Sequence, residues 1–444
     1  MRSRFSFLPA LSVATAIVSI LLIPDSVSAQ RIVLRNVVIH GTQHTNILQP
    51  SFVVINDGKI ESIGTLDARA KIDQNIDLKG AFLFPGLIAL NTALGLSEIS
   101  GARPTRDIQE VGEYTPDVQS WIAVNPDSDL LPVARANGIT YIQPAPKGGM
   151  VAGQSGLIAL DGWTMEQMAI QKPLALHVYW PSMALNTTPK DKVKDASKWK
   201  SLEDQSKERK KKVRELNEFF EDARAYAKSK AAQKDQKSFA RNPAWESMLP
   251  YVAGELPVMI HADEVRQIKA AVNWGETNQL KIIIAGGRDA WMIADELAEK
   301  KVPVLYEHTF TQPVRDSVSY DVHFKAPTIL HQAGVPYAIG MGATTFDAAL
   351  IKNVPYQAAQ SIGFGLPREE ALKAITLYPA QMIGMADRIG SIDVGKDATF
   401  FTADGDILDI RTNVKRVWIA GKEVSLDNRH TRLYEKYKDR PKQN

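Results

Sequence analysis

The chain of 444 residues contains no cysteine. Disulfides and thiolate metal sites are therefore excluded, and any bound metal must rely on His, Asp, Glu or a modified Lys. An excess of one charge is also lacking, since 53 basic residues face 50 acidic ones and the formal net charge is +3. This balance gives no reason to expect nucleic acid or an anionic membrane as a partner, so we expect a small-molecule substrate instead.

The N-terminal segment contains basic residues, then an apolar run, then small residues. Arg2 and Arg4 precede an apolar run over 7–23, and small residues follow up to Ala29. This order is typical of a secretory signal peptide, cleaved after Ala29, because the apolar run is short for a membrane span. We expect residues 1–29 to be removed, the rest to be periplasmic or secreted, and no stable membrane insertion afterwards. An uncleaved membrane helix is the alternative.

Strand-like segments occur near both ends of the chain. Residues 30–81 alternate between apolar and polar, and the sequence Asn56-Asp57-Gly58 predicts a hairpin turn. Similar strands follow in 386–424. We predict that these two halves form one small β-domain. The polar segment 425–444 is expected to be a frayed tail.

Between these halves, strand-like and helix-like segments alternate over 82–385, which predicts an α/β fold with a (β/α)8 TIM barrel. We expect strands at 82–91, 139–146, 156–161, 173–180, 257–263, 280–286, 303–308 and 336–341. The clearest helices are expected at 288–299, 325–333 and 367–376.

One segment, 186–243, interrupts this alternation and is rich in charged residues. Its centre, 199–232, combines helix formers with charges of both signs, which predicts a long solvated helix. Two interpretations are open: a lid or dimer arm, or a charged helix on the outside of the barrel. Assembly into a homo-oligomer is left open as well.

Four motifs occur in a characteristic order. They are Pro85-Gly-Leu-Ile88, Ile260-His-Ala-Asp263, the helix-like 365–380, and Gly390-Ser-Ile-Asp-Val-Gly-Lys-Asp-Ala398. Together they resemble the amidohydrolase superfamily, and in particular its secreted imidazolonepropionase-like members. The resemblance implies a (β/α)8 barrel beside a composite β-sandwich built from both chain ends. It also implies a hydrolase that acts on non-peptide C–N bonds at a metal site.

Several metal-binding positions of that family are altered here. The family's first strand ends in PGLID-x-H-x-H, whose histidines bind metal, and Asn91 and Ala93 stand in their place. Ala285 and Gly286 lie where the sixth strand usually supplies a histidine, and Gly342 lies where the eighth supplies an aspartate. The usual two-metal site cannot form with these residues, because an amide binds such metals weakly and a methyl group not at all.

Three histidines nevertheless fall at predicted strand ends. His261 matches the family's fifth-strand histidine, His177 lies at the end of the fourth strand, and His308 follows the seventh. We predict that these three bind one divalent metal, with zinc the favoured ion, and that Asp263 and Glu307 are catalytic. Histidines satisfied within the core are the alternative.

The loop after the second predicted strand contains four glycines between Gly148 and Gly156. Freed backbone amides could cradle an anionic or carboxylate group, so we predict that Lys147 and Ser155, together with Asn91, bind the substrate. Steric need for glycine is the alternative.

Two functions follow from these patterns. The first is a secreted hydrolase of C–N bonds with a reduced or relocated metal site. The second is a non-catalytic barrel of the same fold that binds a small molecule or supports a complex. Convergence of the three histidines on one point would favour the first.

Overall fold

The computed structural model describes residues 30–41, 47–67, 69–232 and 239–440, so the predicted signal peptide lies outside the described residues. The strands are β1 Arg31–Ile39, β2 Ile47–Asn56, β3 Lys59–Ile63, β4 Gln74–Pro85, β5 Leu87–Thr92, β6 Ile139–Pro144, β7 Val151–Ala159, β8 Ala169–Tyr179, β9 Val258–Ala262, β10 Ile282–Gly286, β11 Val304–Tyr306, β12 Tyr337–Ile339, β13 Phe400–Ala403, β14 Val414–Ile419 and β15 Lys422–Val424. The helices are α1 Leu130–Arg135, α2 Met165–Met168, α3 Leu202–Ala232, α4 Pro243–Val252, α5 Val265–Thr277, α6 Ala294–Glu299, α7 Val322–Ala333, α8 Asp347–Leu350, α9 Val354–Ile362, α10 Arg368–Lys373, α11 Leu377–Met382 and α12 Arg429–Tyr437. Within these ranges, no helix combines the length and apolarity needed to span a membrane.

The eight strands β5 to β12 form one curved sheet in sequence order, which confirms the barrel-like α/β fold. Most neighbours are parallel, but β7 runs antiparallel to both β6 and β8. The expectation of eight regular βα units is therefore wrong at this strand. The link from Pro144 to Val151 is too short for the crossover that a parallel pair requires, so the chain turns back directly.

The first and last strands of this sheet are joined through a third segment. Ile88 N donates to Ile375 O at 3.0 Å, and Ile339 N donates to Ala374 O at 2.9 Å. The backbone of residues 374–375 thus bridges β5 and β12. The sheet closes around the core by this bridge, in the part of the chain that the structure describes.

A second sheet of seven strands has the order β15-β14-β13-β4-β1-β2-β3. Both chain ends contribute to it, as predicted. The turn between β2 and β3 uses Asp57 at φ +49° and Gly58 at φ +74°, the left-handed geometry that the hairpin motif predicts. Leu34, Phe400 and Trp418 are among its fully buried residues.

Helix α3 lies against the outside of the barrel. Leu216 and Phe220 are fully buried, and the Phe220 ring meets Trp274 of α5 edge-on at 4.9 Å. Trp274 Nε1 also donates to Asn217 Oδ1 at 2.6 Å. These contacts agree with a charged helix packed on the barrel rather than with a free lid.

The C-terminal segment is not frayed over its first part, contrary to our expectation. Helix α12 begins after Asn428, whose side chain accepts from His430 N at 2.9 Å and Thr431 N at 3.2 Å. Arg429 and Arg432 form ion pairs with Asp129 at 3.1 and 3.3 Å. An N-cap with reciprocal bonding and two charge contacts holds this helix in place.

Candidate functional site

The carboxyl ends of the parallel barrel strands meet at one face, where working residues of such barrels lie. We call this face the mouth. Polar residues from the neighbouring strands β9 to β5, together with Glu307 after β11, form one chain of hydrogen bonds there. In order, its members are His261, His177, Ser155, Gln143, Asn91 and Glu307.

Two of the predicted metal ligands form one end of this chain. His177 Nδ1 lies 3.0 Å from His261 Nε2, and His177 Nε2 lies 2.8 Å from Ser155 Oγ. The ring of Tyr179 stacks on His261 with centroids 3.9 Å apart. Burial lowers the pKa of His177 to about 3 and lowers the pKa of His261 well below its ordinary value. Both imidazoles are therefore neutral at physiological pH.

Asn91 and Glu307 form the other end. Gln143 Nε2 donates to Ser155 Oγ at 2.8 Å, while Gln143 Oε1 accepts from Asn91 N at 3.2 Å. Asn91 Nδ2 then donates to Glu307 Oε1 at 2.7 Å. Asn91 has φ +50°, a left-handed conformation that asparagine tolerates better than most residues. The substitution of a family metal ligand by Asn91 thus creates a holder for Glu307.

Glu307 is the most perturbed carboxyl at the mouth. Its pKa is raised to about 8, mainly by burial and also by the charges of Asp263 and Asp347, while the Asn91 hydrogen bond and Lys147 oppose the rise. Burial also lowers the pKa of Lys147, against the attraction of Glu307 and Asp347. The mouth therefore holds a carboxyl that is mostly protonated at pH 7 beside an amine that loses its proton more readily than usual.

Two glycines after β12 lie close to this carboxyl. A Cβ at Gly340 would lie 3.3 Å from Glu307 Cγ, and one at Gly342 would lie 3.8 Å from Glu307 Oε2. The same Cβ at Gly342 would lie 3.2 Å from Asp347 Oδ2. Asp347 also accepts from Thr344 N at 3.0 Å, so it joins the loop and the site.

His308, the third predicted metal ligand, is directed elsewhere. Its Nε2 lies 2.7 Å from Asp263 Oδ1, and its Nδ1 lies 3.2 Å from Thr311 Oγ1. Burial alone would raise the pKa of Asp263, but the hydrogen bond and charge of His308 hold it below its usual range. Asp263, predicted to be catalytic, therefore serves as the partner of His308 in this structure.

The residues at the mouth do not fit a divalent metal in the predicted form. Both nitrogens of His177 have hydrogen-bond partners, and His261 Nε2 faces His177 rather than an open position. Throughout the described ranges, no group of three or more His, Asp or Glu side chains is arranged to hold a metal ion. The predicted three-histidine centre is therefore absent from this part of the chain, because His308 is engaged by Asp263.

The glycine-rich loop has a steric explanation. Residues 107–119, here called the strap, run beside it, and Lys147 N donates to Ile108 O at 2.7 Å. A Cβ at Gly149 would lie 2.6 Å from Glu113 O, and one at Gly153 would lie 2.7 Å from Val118 O. The strap fills the space where an anion was expected.

The three predicted substrate-binding residues differ in access. Lys147 is partly exposed at the mouth, whereas Asn91 and Ser155 are buried, Ser155 completely. Asn91 and Ser155 therefore support the site from behind rather than meet a ligand in this conformation.

Sequence reasoning missed Gln143 and Tyr179. Gln143 had a usable signal, since it is the only amide side chain in the largely apolar Ile139–Pro144, and the structure buries it completely. Buried polar groups need partners, so its presence predicts others nearby. No comparable signal marks Tyr179.

Comparison with known proteins supports the same ancestry. The model of the amidohydrolase family matches residues 348–425. The crystal structure of an amidohydrolase from Thermotoga maritima MSB8 superimposes with a TM-score of 0.76 and 26% identity, covering 89% of this chain and 99% of that one.

Curated relatives match over shorter stretches. An amidohydrolase, tasK, from Hapsidospora irregularis is 26% identical over 191 residues, which is 40% of this chain. An imidazolonepropionase from Syntrophobacter fumaroxidans is 36% identical over 75 residues, or 17% of this chain. In each case the chain spans only 18% of the relative's own length. The barrel, the sheet built from both chain ends and these matches support membership of the amidohydrolase superfamily.

Proposed function

We propose that the protein hydrolyses a C–N bond of a small, non-peptide amide at the mouth of its barrel, with Glu307 as general acid and base. The observation that supports this proposal most is the state of Glu307. Its carboxyl combines a pKa of about 8 with a fixed position, because Asn91 Nδ2 holds Oε1 at 2.7 Å. A catalytic acid–base group works best when its pKa lies near the working pH.

The steps use side chains of the mouth alone. The carboxylate form of Glu307 takes a proton from a water molecule as the water oxygen attacks the amide carbonyl. Lys147 stabilises the negative charge that develops on the carbonyl oxygen. The protonated Glu307 then donates its proton to the leaving nitrogen, the C–N bond breaks, and a carboxylic acid and an amine are released. Because the first step needs the carboxylate, activity should rise with pH through about 8.

The proposal assigns no step to a metal, because the donor set at the mouth does not fit one. Four of the family's usual ligand positions hold Asn91, Ala93, Ala285 and Gly342. His177 and His261 bind each other instead. Superfamily membership supports hydrolysis in general, and the chemistry of Glu307 supports the particular route.

A non-catalytic binding protein is the second candidate. The altered ligand positions favour it, since they remove the metal chemistry that the family resemblance implies. In this case Glu307, Lys147 and the strap would form a pocket that recognises a small molecule without changing it.

Turnover of amides by the purified protein without residues 1–29 distinguishes the two. We would measure amine release from a panel of N-acyl amines, cyclic amides and ureides, with Glu307→Gln as the test variant and Glu299→Gln, on the exposed end of α6, as its control. Glu307→Gln should lower kcat by roughly 100-fold or more with little change in KM, while the control stays active. Unchanged turnover in Glu307→Gln would contradict the proposed role, and no turnover by the unaltered protein would favour the binding protein.

A further inference from the structure

The hydrogen bonds behind His261 determine which of its ring nitrogens bears the proton. Ser155 is fully buried, and its oxygen has three neighbours: Gln143 Nε2 at 2.8 Å, His177 Nε2 at 2.8 Å and Ala175 O at 3.4 Å. Gln143 Nε2 can only donate. The single hydroxyl proton of Ser155 can therefore go to only one of two acceptors, His177 Nε2 or Ala175 O.

Distance decides between these two acceptors. The O–H···N contact to His177 has an ordinary hydrogen-bond length, whereas 3.4 Å to Ala175 O exceeds the usual range for a hydroxyl donor. Ser155 therefore donates to His177 Nε2. A nitrogen that accepts carries no proton, so the ring proton of His177 must lie on Nδ1.

The same reasoning extends to the next ring. His177 Nδ1 bears a proton and lies 3.0 Å from His261 Nε2, so His261 Nε2 accepts. The proton of the second neutral ring must then lie on His261 Nδ1. That nitrogen has no hydrogen-bond partner among the described residues. It is accessible to solvent, since it does not belong to the buried polar atoms that lack a partner in this part of the chain. The residue itself is partly exposed at the mouth.

We propose that buried Ser155 fixes the tautomer of His261 through His177, so that His261 presents an Nδ1–H donor to the carbonyl oxygen of a ligand. His261 is then a binding residue for the amide carbonyl, beside Lys147, and Ser155 is its positioning residue. This inference rests on the proposed function for the ligand's chemistry, whereas the tautomer is a property of the free protein.

The chain of hydrogen bonds from His261 to Glu307 orients these two side chains, but it does not conduct protons along its whole length. The links at Gln143 and Asn91 are amide and backbone N–H groups, which hold their protons. Its two ends therefore act separately: His261 donates, and Glu307 exchanges a proton with water and substrate.

Nitrogen NMR of the protein labelled with ¹⁵N-histidine tests the tautomer directly. Variants His177→Gln and His261→Gln assign the two rings. We expect a protonated Nδ1 and an unprotonated Nε2 in both rings of the otherwise unaltered protein. Protonation of His261 at Nε2 in the unaltered protein would overturn the proposal, and this test needs no variant of Ser155.

A pair of serine variants then tests the role of Ser155. Ser155→Ala should shift His261 towards the other tautomer, or to a mixture. Ser361→Ala is the matched control, because Ser361 is also completely buried and its Oγ has no hydrogen-bond partner among the described residues. An unchanged tautomer in a folded Ser155→Ala protein would remove Ser155 from this role.

A carbonyl ligand tests the donor. Addition of 2-pyrrolidinone should shift the His261 Nδ1 resonance and leave that of His177 nearly unchanged. Absence of this shift at saturating concentration would overturn the binding role. Failure of the proposed hydrolysis would give a different result. The protein would then show no turnover, while the His261 tautomer and the resonance shift on ligand addition would remain as expected.

Discussion

Replacing Glu307 by glutamine should change how the stability of the protein depends on pH. Glutamine keeps the shape of the side chain and an oxygen that can accept from Asn91, but it cannot ionise. In the unaltered protein the folded-state pKa of Glu307 is about 8, against an ordinary value of 4.5. The folded state therefore holds this proton more tightly than the unfolded chain, and stability is lost as pH rises between those two values.

The size of the loss follows from the same two pKa values. A one-unit shift corresponds to roughly 1.4 kcal/mol, so the free energy of unfolding should fall by about 3 to 4 kcal/mol between pH 5 and pH 8 because of Glu307 alone. The loss should level off above pH 8, where the carboxylate predominates in both states. Partial exposure of Glu307 at the mouth makes this value an upper bound.

Urea unfolding at a series of pH values measures the effect. The two proteins share every other titrating group, so the difference between their unfolding free energies isolates Glu307. That difference should favour Glu307→Gln increasingly from pH 5 to pH 8. Parallel curves would mean that Glu307 titrates near its ordinary value, which would refute the environment described for it.

Two further predictions concern the elements around the mouth. Gly149→Ala should lower the free energy of unfolding by at least about 1 kcal/mol, because Gly149 has φ +63° and a Cβ would lie 2.6 Å from Glu113 O. In thermal unfolding, Gly101→Ala is its control, since no atom lies within 4 Å of the added Cβ, and equal effects would contradict the packing of the strap. Phe220→Ala should cost about 3 to 5 kcal/mol because its side chain is completely buried, whereas a free lid would predict almost no change in urea unfolding.

Most of the fold could be predicted from local patterns. The hairpin at Asp57-Gly58, the strands from both chain ends and the order of the barrel strands all depend on short-range signals of apolar alternation and turn residues. A strand was predicted at 156–161, but the start of β7 at Val151 and its reversed direction were missed, because the glycines before it suggested a loop. Pairing with His177 of β8 places Gly153 in the strand, and the close approach of the strap, which is distant in sequence, explains the glycine there.

The site was predicted in part. Location at strand ends correctly brought His177 close to His261 and placed Glu307 at the mouth. The hydrogen-bond partner of each side chain could not be predicted, because it depends on the direction in which the side chain points, and strand order does not specify that direction. His308 is one residue beyond Glu307 yet bonds to Asp263, while Glu307 bonds to Asn91, which is 216 positions away in the chain.

The central claim is that the mouth contains a carboxylic acid that stays protonated at neutral pH. Carbon NMR titration of the Glu307 carboxyl, with Glu307→Gln to assign its resonance, tests this claim most directly. We predict a midpoint of about 8, with the resonance of the protonated acid predominating at pH 7. A midpoint near the ordinary value of 4.5 would contradict the account.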